Sequence, residues 1–576
     1  MSGIEKICVI GAGVMGAGIA AQAANAGVDV VLLDVMADAS RSAIAKMLKT
    51  DPAPFMHAKI ARRITPGTTG ENLELVKDCD WIIEAIVERP DIKQELYKTL
   101  APLMKADAVL SSNTSTLPLK VLTEGMDGDL RRRFLISHFF NPPRYMRLLE
   151  IVSSDDTDAD IIKRITTFID EAMGKSVVDA RDTPGFIANR IGTFWLHAAV
   201  TEAINQGIGV EEADAVLGRP AGIPKTGIFG LLDLVGLDLM PHVLGSFEAS
   251  LAADDPFHKL GKAPDLLGKM IADGYTGRKG KGGFYRLNTA GGGKIKEVID
   301  LKTGEYGPAQ RPKPSALKAS KKDGLRGLLE HDSREARYAR TVLLKTLSYA
   351  ALLVPEIADN PDAVDRAMRL GYNWKTGPFE LIDKIGAAWL IRALKEQGEK
   401  IPPLLSAVTL SVGNRTFYRT QNGQLQHFTG SGYEAVQRPA GVLLLQDVKR
   451  SSQPIAKNLS ASLWDIGDGV ACLEFTSKMN SLDPFIMMMI DKALRELPGR
   501  GFKAMVIHNE GSNFSVGANI AMLLYGAKLR LWPFVRWVLK RGQDTFQRMR
   551  FSPFPVVGAP SGMALGGGCE VLLHCD

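Results

Sequence analysis

The chain reads as an α/β protein: a doubly wound parallel sheet, then two all-α modules, then a partial second α/β unit. Three observations predict this. Short apolar runs alternate with helical patterns up to about residue 180, the pattern of a parallel sheet whose crossovers are helices. KTGIFGLLDLVG (Lys225–Gly236) returns 150 positions later as KTGPFELIDKIG (Lys375–Gly386), with seven of twelve positions identical; such self-similarity points to two related modules. Finally, a new strand-like run, VACLEF (Val470–Phe475), opens after a polar stretch.

The elements follow in order. Ile7–Ile10 is a short apolar strand, Gly11–Gly16 a glycine turn, and the Ala-rich segment to Ala26 a helix that Gly27 can cap. Val28–Leu33 is the second strand, and further strands are expected at Trp81–Ile86, Val109–Leu110 and Phe134–Ile136. From about Thr183 the pattern turns helical. The expected division is 1–182 for the sheet domain, 183–288 and 334–400 for the helical modules, and 461–576 for the last unit. Residues 289–333 are expected to be a linker, because Asn288–Asp323 is rich in Gly, Lys and Pro. Residues 401–460, polar from Asn414 on, are expected to connect.

At 576 residues the chain exceeds what one core can hold. Its net charge of +6 suits an anionic small molecule, and no aromatic-basic motif points to nucleic acid. Cys8, Cys79, Cys472, Cys569 and Cys575 are scattered, which reads as reduced thiols in a cytoplasmic protein, without a metal site. The first strand starts almost at once, so no signal peptide is expected, and no apolar run is long enough for a membrane span.

Gly11-Ala12-Gly13-Val14-Met15-Gly16 is a G-x-G-x-x-G run between a strand and a helix, and Asp34 ends the next strand. In that context it predicts a Rossmann-type dinucleotide site. Gly11 permits the tight turn, Gly13 lets the backbone approach a pyrophosphate, and Gly16 lets helix and strand pack closely. Asp34 can accept from ribose hydroxyls and would repel a 2′-phosphate, which favours NAD over NADP.

Three segments then bear chemistry: SSNTSTL (Ser111–Leu117), HFFNPPRYMRLLEIV (His138–Val152) and DTPGFIANR (Asp182–Arg190). Taken alone, His138 among apolar residues fits a core histidine as well as a base. Glu150, twelve residues on in an apolar strand, needs a partner if it is buried. If the chain doubles back, His138 is that partner, and the two form a base with its orienting carboxylate.

SNTST, HFFNPP with its downstream Glu, and DTPGFIANR closely resemble the L-3-hydroxyacyl-CoA dehydrogenases, and the resemblance runs from the glycine turn through both repeats, about residues 4–400. It implies His138 as general acid or base, Glu150 as its orienting partner, and Ser115 and Asn189 as residues that position substrate. It implies cofactor contacts from Glu88, Lys93, Ser115 and Asn141. The substrate would be an acyl-CoA thioester, the protein a homo-oligomer, with a thiolase as a further partner. Because a base must be neutral to take the 3-hydroxyl proton, oxidation is expected to weaken at low pH.

From about Ser462 the chain resembles the crotonase (enoyl-CoA hydratase/isomerase) superfamily, on KMNSLD (Lys478–Asp483), NFSVGANI (Asn513–Ile520) and GMALGGGCE (Gly562–Glu570). That resemblance implies an oxyanion hole from the backbone N–H groups of Ala518 and Gly567, and Glu570 as one of two carboxylates that act on water. APSG (Ala559–Gly562) stands where many hydratases have VNG. Only part of such a unit is expected within residues 461–576, with the second carboxylate outside it and core surface exposed. Dehydrogenase before crotonase is the order of one group of bacterial bifunctional β-oxidation proteins. KLRLWPFVRWVLKR (Lys528–Arg541) could lie on a membrane surface or bind a CoA phosphate, but reads first as an amphipathic helix packed within this unit.

Two other functions stay open. A dehydrogenase of other β-hydroxy acids is disfavoured by HFFNPP with its Glu. A non-catalytic acyl-CoA-binding module is disfavoured by the intact Ser115, His138, Glu150 and Asn189.

Overall fold

A computed structural model of the protein describes residues 3–289, 293–411 and 415–576. It forms two compact units: residues 1–418 with 427–434, and residues 419–426 with 435–576. Residues 290–292 of the expected linker and 412–414 at the start of the polar stretch lie outside the described residues, as do residues 1–2.

The first unit is built on eight strands: β1 (Lys6–Ile10), β2 (Asp29–Asp34), β3 (Ile64–Thr68), β4 (Trp81–Glu84), β5 (Val109–Ser112), β6 (Phe134–Phe139), β7 (Leu148–Val152) and β8 (Ser176–Asp179). They lie in the order β3-β2-β1-β4-β5-β6-β7-β8. Neighbours run parallel except β6 and β7, which are antiparallel. The inner strands are apolar on both faces because helices cover both. The expected sheet is therefore present, with one reversal that the apolar runs could not show.

Helix α1 (Val14–Asn25) follows the glycine turn, and α2 (Pro90–Leu100) follows β4. After β8 the chain enters α3 (Ala188–Asn205), α4 (Val210–Val216) and α5 (Phe229–Val235) of the first module, then α6 (Arg334–Leu352), α7 (Pro361–Gly371) and α8 (Pro378–Ile385) of the second. The repeat now has a physical reason. Asp214 on α4 accepts hydrogen bonds from the N–H groups of Ile228, Phe229 and Gly230 and from the Tyr285 hydroxyl, while Asp233 accepts from Phe284 and Tyr285 N–H. In the second module Asp365 accepts from Phe379 and Glu380 N–H and from the Tyr418 hydroxyl, while Asp383 accepts from Phe417 and Tyr418 N–H. The shared glycine is needed because a Cβ on Gly227 would come within 2.4 Å of Asp214, and one on Gly377 within 2.4 Å of Asp365.

The expected linker is instead structured. Ile295–Ile299 and Tyr306–Pro308 complete a three-stranded antiparallel sheet with Tyr285–Asn288. Ala316–Glu330 is a helix that buries Ala316, Leu325, Leu328 and Leu329. Composition misled here: Gly, Lys and Pro occupy the outer positions of elements whose apolar positions are few but correctly spaced. Likewise Pro403–Leu410 is a helix whose Leu404, Leu405 and Val408 enter the first unit's core, so the second module runs past residue 400.

The second unit has a five-stranded sheet in the order Ala456–Lys457, β9 (Ala461–Asp465), β10 (Val470–Phe475), β11 (Ala504–Ile507) and β12 (Val556–Gly558). Around it lie α9 (Pro484–Glu496), α10 (Ile520–Lys528), α11 (Trp532–Arg550) and α12 (Gly567–Leu573). Only the end of α11, with Thr545, Phe546 and Met549, is buried; Trp532 and Trp537 near its start are more than half exposed. The segment expected to pack inside this unit, Lys528–Arg541, therefore has no buried residue, and the helix is buried only beyond it. Among the described residues no single helix is long and apolar enough to cross a membrane, and no cluster of His, Cys, Asp and Glu is suited to hold a metal ion.

Candidate active site

The glycine turn has the shape the sequence predicts. Gly11 adopts φ +105°, and a Cβ there would lie 2.4 Å from the Ala85 carbonyl oxygen. A Cβ on Gly16 would lie 1.8 Å from the Gly11 carbonyl oxygen, whereas one on Gly13 would meet nothing within 4 Å. Gly11 and Gly16 therefore serve close packing, and Gly13 opens a cradle at the start of α1 that a pyrophosphate fits. Asp34 accepts hydrogen bonds from Ala12 N–H (2.7 Å) and Met36 N–H (3.0 Å), placing its carboxylate beside that cradle at the end of β2. These residues fit an NAD molecule.

Next to the cradle is a buried network that sequence reasoning missed in part. Glu84, fully buried at the end of β4, receives Lys93 Nζ at 2.5 Å, the Tyr97 hydroxyl at 2.6 Å and the Ser112 hydroxyl at 2.8 Å. Lys93 and Tyr97 share one face of α2 through their i,i+4 spacing. Burial, reinforced by the Glu84 charge, pushes the Tyr97 phenol well up, so it stays a donor. Lys93 is only 1% exposed and also lies 3.4 Å from Glu88. It thus stands behind Glu88, which accepts from the Thr114 hydroxyl (2.9 Å) and Ser115 N–H (3.0 Å). The available signal was Glu84 itself, a carboxylate closing an apolar strand, which requires a cation or several donors.

The antiparallel turn between β6 and β7 sets His138 directly opposite Glu150. His138 Nδ1 lies 2.8 Å from Glu150 Oε2. The other carboxylate oxygen accepts from Ile187 N–H (3.2 Å) and Ala188 N–H (2.8 Å) at the start of α3. An ionised Glu150 only accepts, so Nδ1 carries the proton and Nε2 is left as the base. His138 is 5% exposed, Glu150 is fully buried, and Phe140 and Phe186 flank the imidazole with ring centroids at 4.5 and 5.5 Å. Phe186 holds φ +50°, a strained conformation for a bulky residue. Asn113 accepts from Phe139 N–H at 2.9 Å, tying the SNTST loop to β6. Asn189 stands in the first turn of α3, and Asn141 just past β6. The side chains of Ser115, Asn141 and Asn189 make no hydrogen bond among the described residues. The helix N–H groups that hold Glu150 had no sequence signal, because backbone donors carry none.

In the second unit Ala518, Gly567 and Glu570 come together. A Cβ on Gly567 would lie 3.3 Å from Ala518 N and 3.7 Å from Glu570 Oε2. All three line a cavity of about 340 Å³ with Leu482, Asp483 and Met522. Asp483 is already engaged, accepting from the Ser460 hydroxyl at 2.5 Å and Ile486 N–H at 3.0 Å. Glu570 is exposed and forms no ion pair among the described residues.

Comparison with known proteins matches most of residues 6–411 to one family. Residues 6–183 match the 3-hydroxyacyl-CoA dehydrogenase NAD-binding domain. Residues 185–287 and 338–411 both match the 3-hydroxyacyl-CoA dehydrogenase C-terminal domain, in agreement with the internal repeat. A Bacillus subtilis protein named a probable 3-hydroxyacyl-CoA dehydrogenase is 39% identical over 596 residues, covering 99% of this chain and 74% of its own. A Rickettsia felis protein, provisionally named a fatty acid oxidation complex trifunctional enzyme, is 37% identical over 99% of this chain and 76% of its own. The solved 3-hydroxybutyryl-CoA dehydrogenase of Escherichia coli K12 shares the fold with a TM-score of 0.52 at 22% identity, covering 69% of this chain and 96% of its own.

Proposed function

The chain belongs to the 3-hydroxyacyl-CoA dehydrogenase family, and on that premise we propose how its residues divide the work of oxidising a 3-hydroxyacyl-CoA to the 3-oxoacyl-CoA with NAD in fatty-acid oxidation. The observation that carries the proposal is the buried His138–Glu150 pair at 2.8 Å. His138 Nε2 takes the proton of the 3-hydroxyl. Glu150 fixes the tautomer and stabilises the imidazolium, itself held by two N–H groups of α3. The chemistry supplied by bound NAD is acceptance of the hydride that leaves C3. The Gly11–Gly16 cradle and Asp34 hold the nucleotide, and Glu88, braced by Lys93, shapes the nicotinamide end with Ser115 and Asn141. Ser115 and Asn189, whose side chains make no hydrogen bond among the described residues, orient the substrate. Formation of NADH from a 3-hydroxyacyl-CoA, compared with NADP and with 3-hydroxy acids lacking coenzyme A, tests the reading. Turnover independent of coenzyme A would overturn it.

A crotonase-like second unit is part of the proposal. Its support is the cavity that gathers Ala518, Gly567 and Glu570. With Asp483 occupied as a helix cap, Glu570 is the one free carboxylate in the cavity lining among the described residues, so this chain is proposed to bind a thioester there but to hydrate it too slowly to be useful. Following the crotonyl-CoA enone absorbance tests this, and rapid hydration would refute it. A homo-oligomer, a thiolase partner and a cytoplasmic setting complete the proposal; the five free cysteines support the last, and light scattering of the purified chain, with and without a thiolase, tests the first two.

A further inference from the structure

Lys175 is 2% exposed, yet it pairs with no carboxylate among the described residues. Its Nζ donates to the carbonyl oxygens of Pro143 and, at 2.7 Å, Met146, and sits 5.6 Å from the centroid of the Phe139 ring. Burial lowers the ammonium to about 8. An unpaired buried cation is costly, and a loop that needed only filling could be closed by an apolar side chain. The two carbonyls belong to residues 140–147, the loop that joins β6, which carries His138, to β7, which carries Glu150, and Asn141 lies in it. The opposite side of this loop is equally confined: a Cβ on Gly18 of α1 would lie 2.8 Å from the Pro143 ring. Ser176 N–H, next to Lys175, donates to the Arg147 carbonyl at 2.8 Å and so fixes where β8 meets the loop's end.

We propose that Lys175 is a positioning residue for the dehydrogenase reaction: its ammonium ties together the carbonyls of the loop between His138 and Glu150 and so sets where His138 and Asn141 stand. Three N–H donors on one flexible stem can reach two carbonyls and a ring face at once, which no neutral side chain of that length does. Elsewhere the loop packs against Gly18 of α1 and is tied by Arg144, which donates to the Ala53 and Phe55 carbonyl oxygens, and by the Tyr145 hydroxyl, which donates to Ala53; among the described residues Lys175 is the side chain that donates to the loop's own carbonyls. Releasing the loop would shift the imidazole, and a displacement of about 1 Å can lower turnover about 10²-fold.

The inference rests on His138 being the base, so the test carries both. Acetoacetyl-CoA reduction is followed by loss of NADH for wild type, K175M, K175R, H138Q and the K175M/H138Q double variant, with NADH affinity measured by fluorescence. Inactive wild-type protein, or H138Q with wild-type turnover, would sink the reading of the site itself. With those in order, K175M is expected to lose about 10²-fold in kcat, to keep NADH affinity within about threefold, and to be largely restored as K175R. The double variant should fall little below H138Q, because both changes remove the same placed imidazole. K175M with near-wild-type kcat, a parallel loss of NADH affinity, or full additivity with H138Q would each overturn the role of Lys175. K175Q, which keeps two donors on a shorter neutral stem, replaces K175M throughout, with the same outcomes, where the latter does not yield folded protein.

Discussion

The two units place a carboxylate in opposite circumstances. Glu150 is fully buried, its two oxygens shared between an imidazole and two N–H groups of a helix start. Glu570 is exposed where it lines a cavity, without an ion pair among the described residues and with the apolar side chains of Leu482, Met487 and Met522 in the same lining. The first arrangement can hold one protonation geometry through a turnover, because every alternative leaves a buried group unpaired. The second leaves an exposed carboxylate beside the N–H groups of Ala518 and Gly567, with no ion pair among the described residues to fix its geometry, which fits the proposed thioester binding better than the directing of a water. Acid–base catalysis here depends less on having a carboxylate than on what confines it.

The sharpest way to break this comparison is His138→Gln. NADH formation from 3-hydroxyacyl-CoA should fall about 10²–10⁴-fold, the usual scale for removing a general base, while NAD affinity changes little. Unchanged turnover would remove the functional distinction between the two sites. A smaller effect is expected at Asp34, which braces the glycine turn and is proposed to hold the ribose. Asp34→Ala should weaken NAD binding about 10- to 100-fold, the scale of about 1.5–3 kcal/mol for hydrogen bonds to a charged group, and should relax discrimination against NADP. A retained NAD preference would show that the ribose is read elsewhere.

Smaller again is a difference in how the units respond to pH. Burial pushes Asp214 up to about 7, and Asp233 and Asp383 up to about 6, despite the N–H groups they accept. A raised folded value means the folded state holds the proton more tightly than the unfolded chain does. The stability these groups contribute is therefore fully present below the unfolded value of about 4 and is lost as pH rises through about 6 to 7. In the second unit Asp447 is held low by the hydrogen bond from Arg438, with the Arg438 and Arg450 charges beside it, so its contribution has the opposite sign and is lost on acidification. The thermal midpoint of the NAD-binding unit, followed by its loss of NADH fluorescence, should accordingly drop between about pH 4 and 7 relative to the behaviour expected from surface charges alone; a flat profile would show that the donors fully offset burial. The smallest effect is expected at the rim of the second unit. Glu570→Gln should leave NADH formation unchanged and remove little hydration, because little is expected. A fast wild-type hydratase abolished by this change would reverse the comparison.

Much of this was legible beforehand, for reasons that differ from motif to motif. Glycines that must accept a positive φ or a close contact, such as Gly11 and Gly16, cannot be replaced by another residue, so the turn shows in the sequence. The repeat was visible because each module needs the same glycine, phenylalanine and aspartate to pin a loop to a helix. By contrast, the composition of residues 289–333 suggests a linker, while the spacing of Leu325, Leu328 and Leu329 puts them on one buried helix face. The resemblance makes Lys93 a cofactor contact, and the fold adds that it is buried and pairs with both Glu84 and Glu88.

The sequence by itself determined the sheet, the nucleotide cradle, the doubled helical module and the identity of the acid–base candidates, since each rests on local spacing or on a residue type without substitute. Only the tertiary structure decided that β7 reverses, which places His138 opposite Glu150, that backbone N–H groups of α3 complete the pair, and that the buried Lys175 donates to carbonyls of the loop between them. Those features depend on contacts between residues remote in the chain and on backbone groups common to every residue, so they leave no mark in the order of side chains.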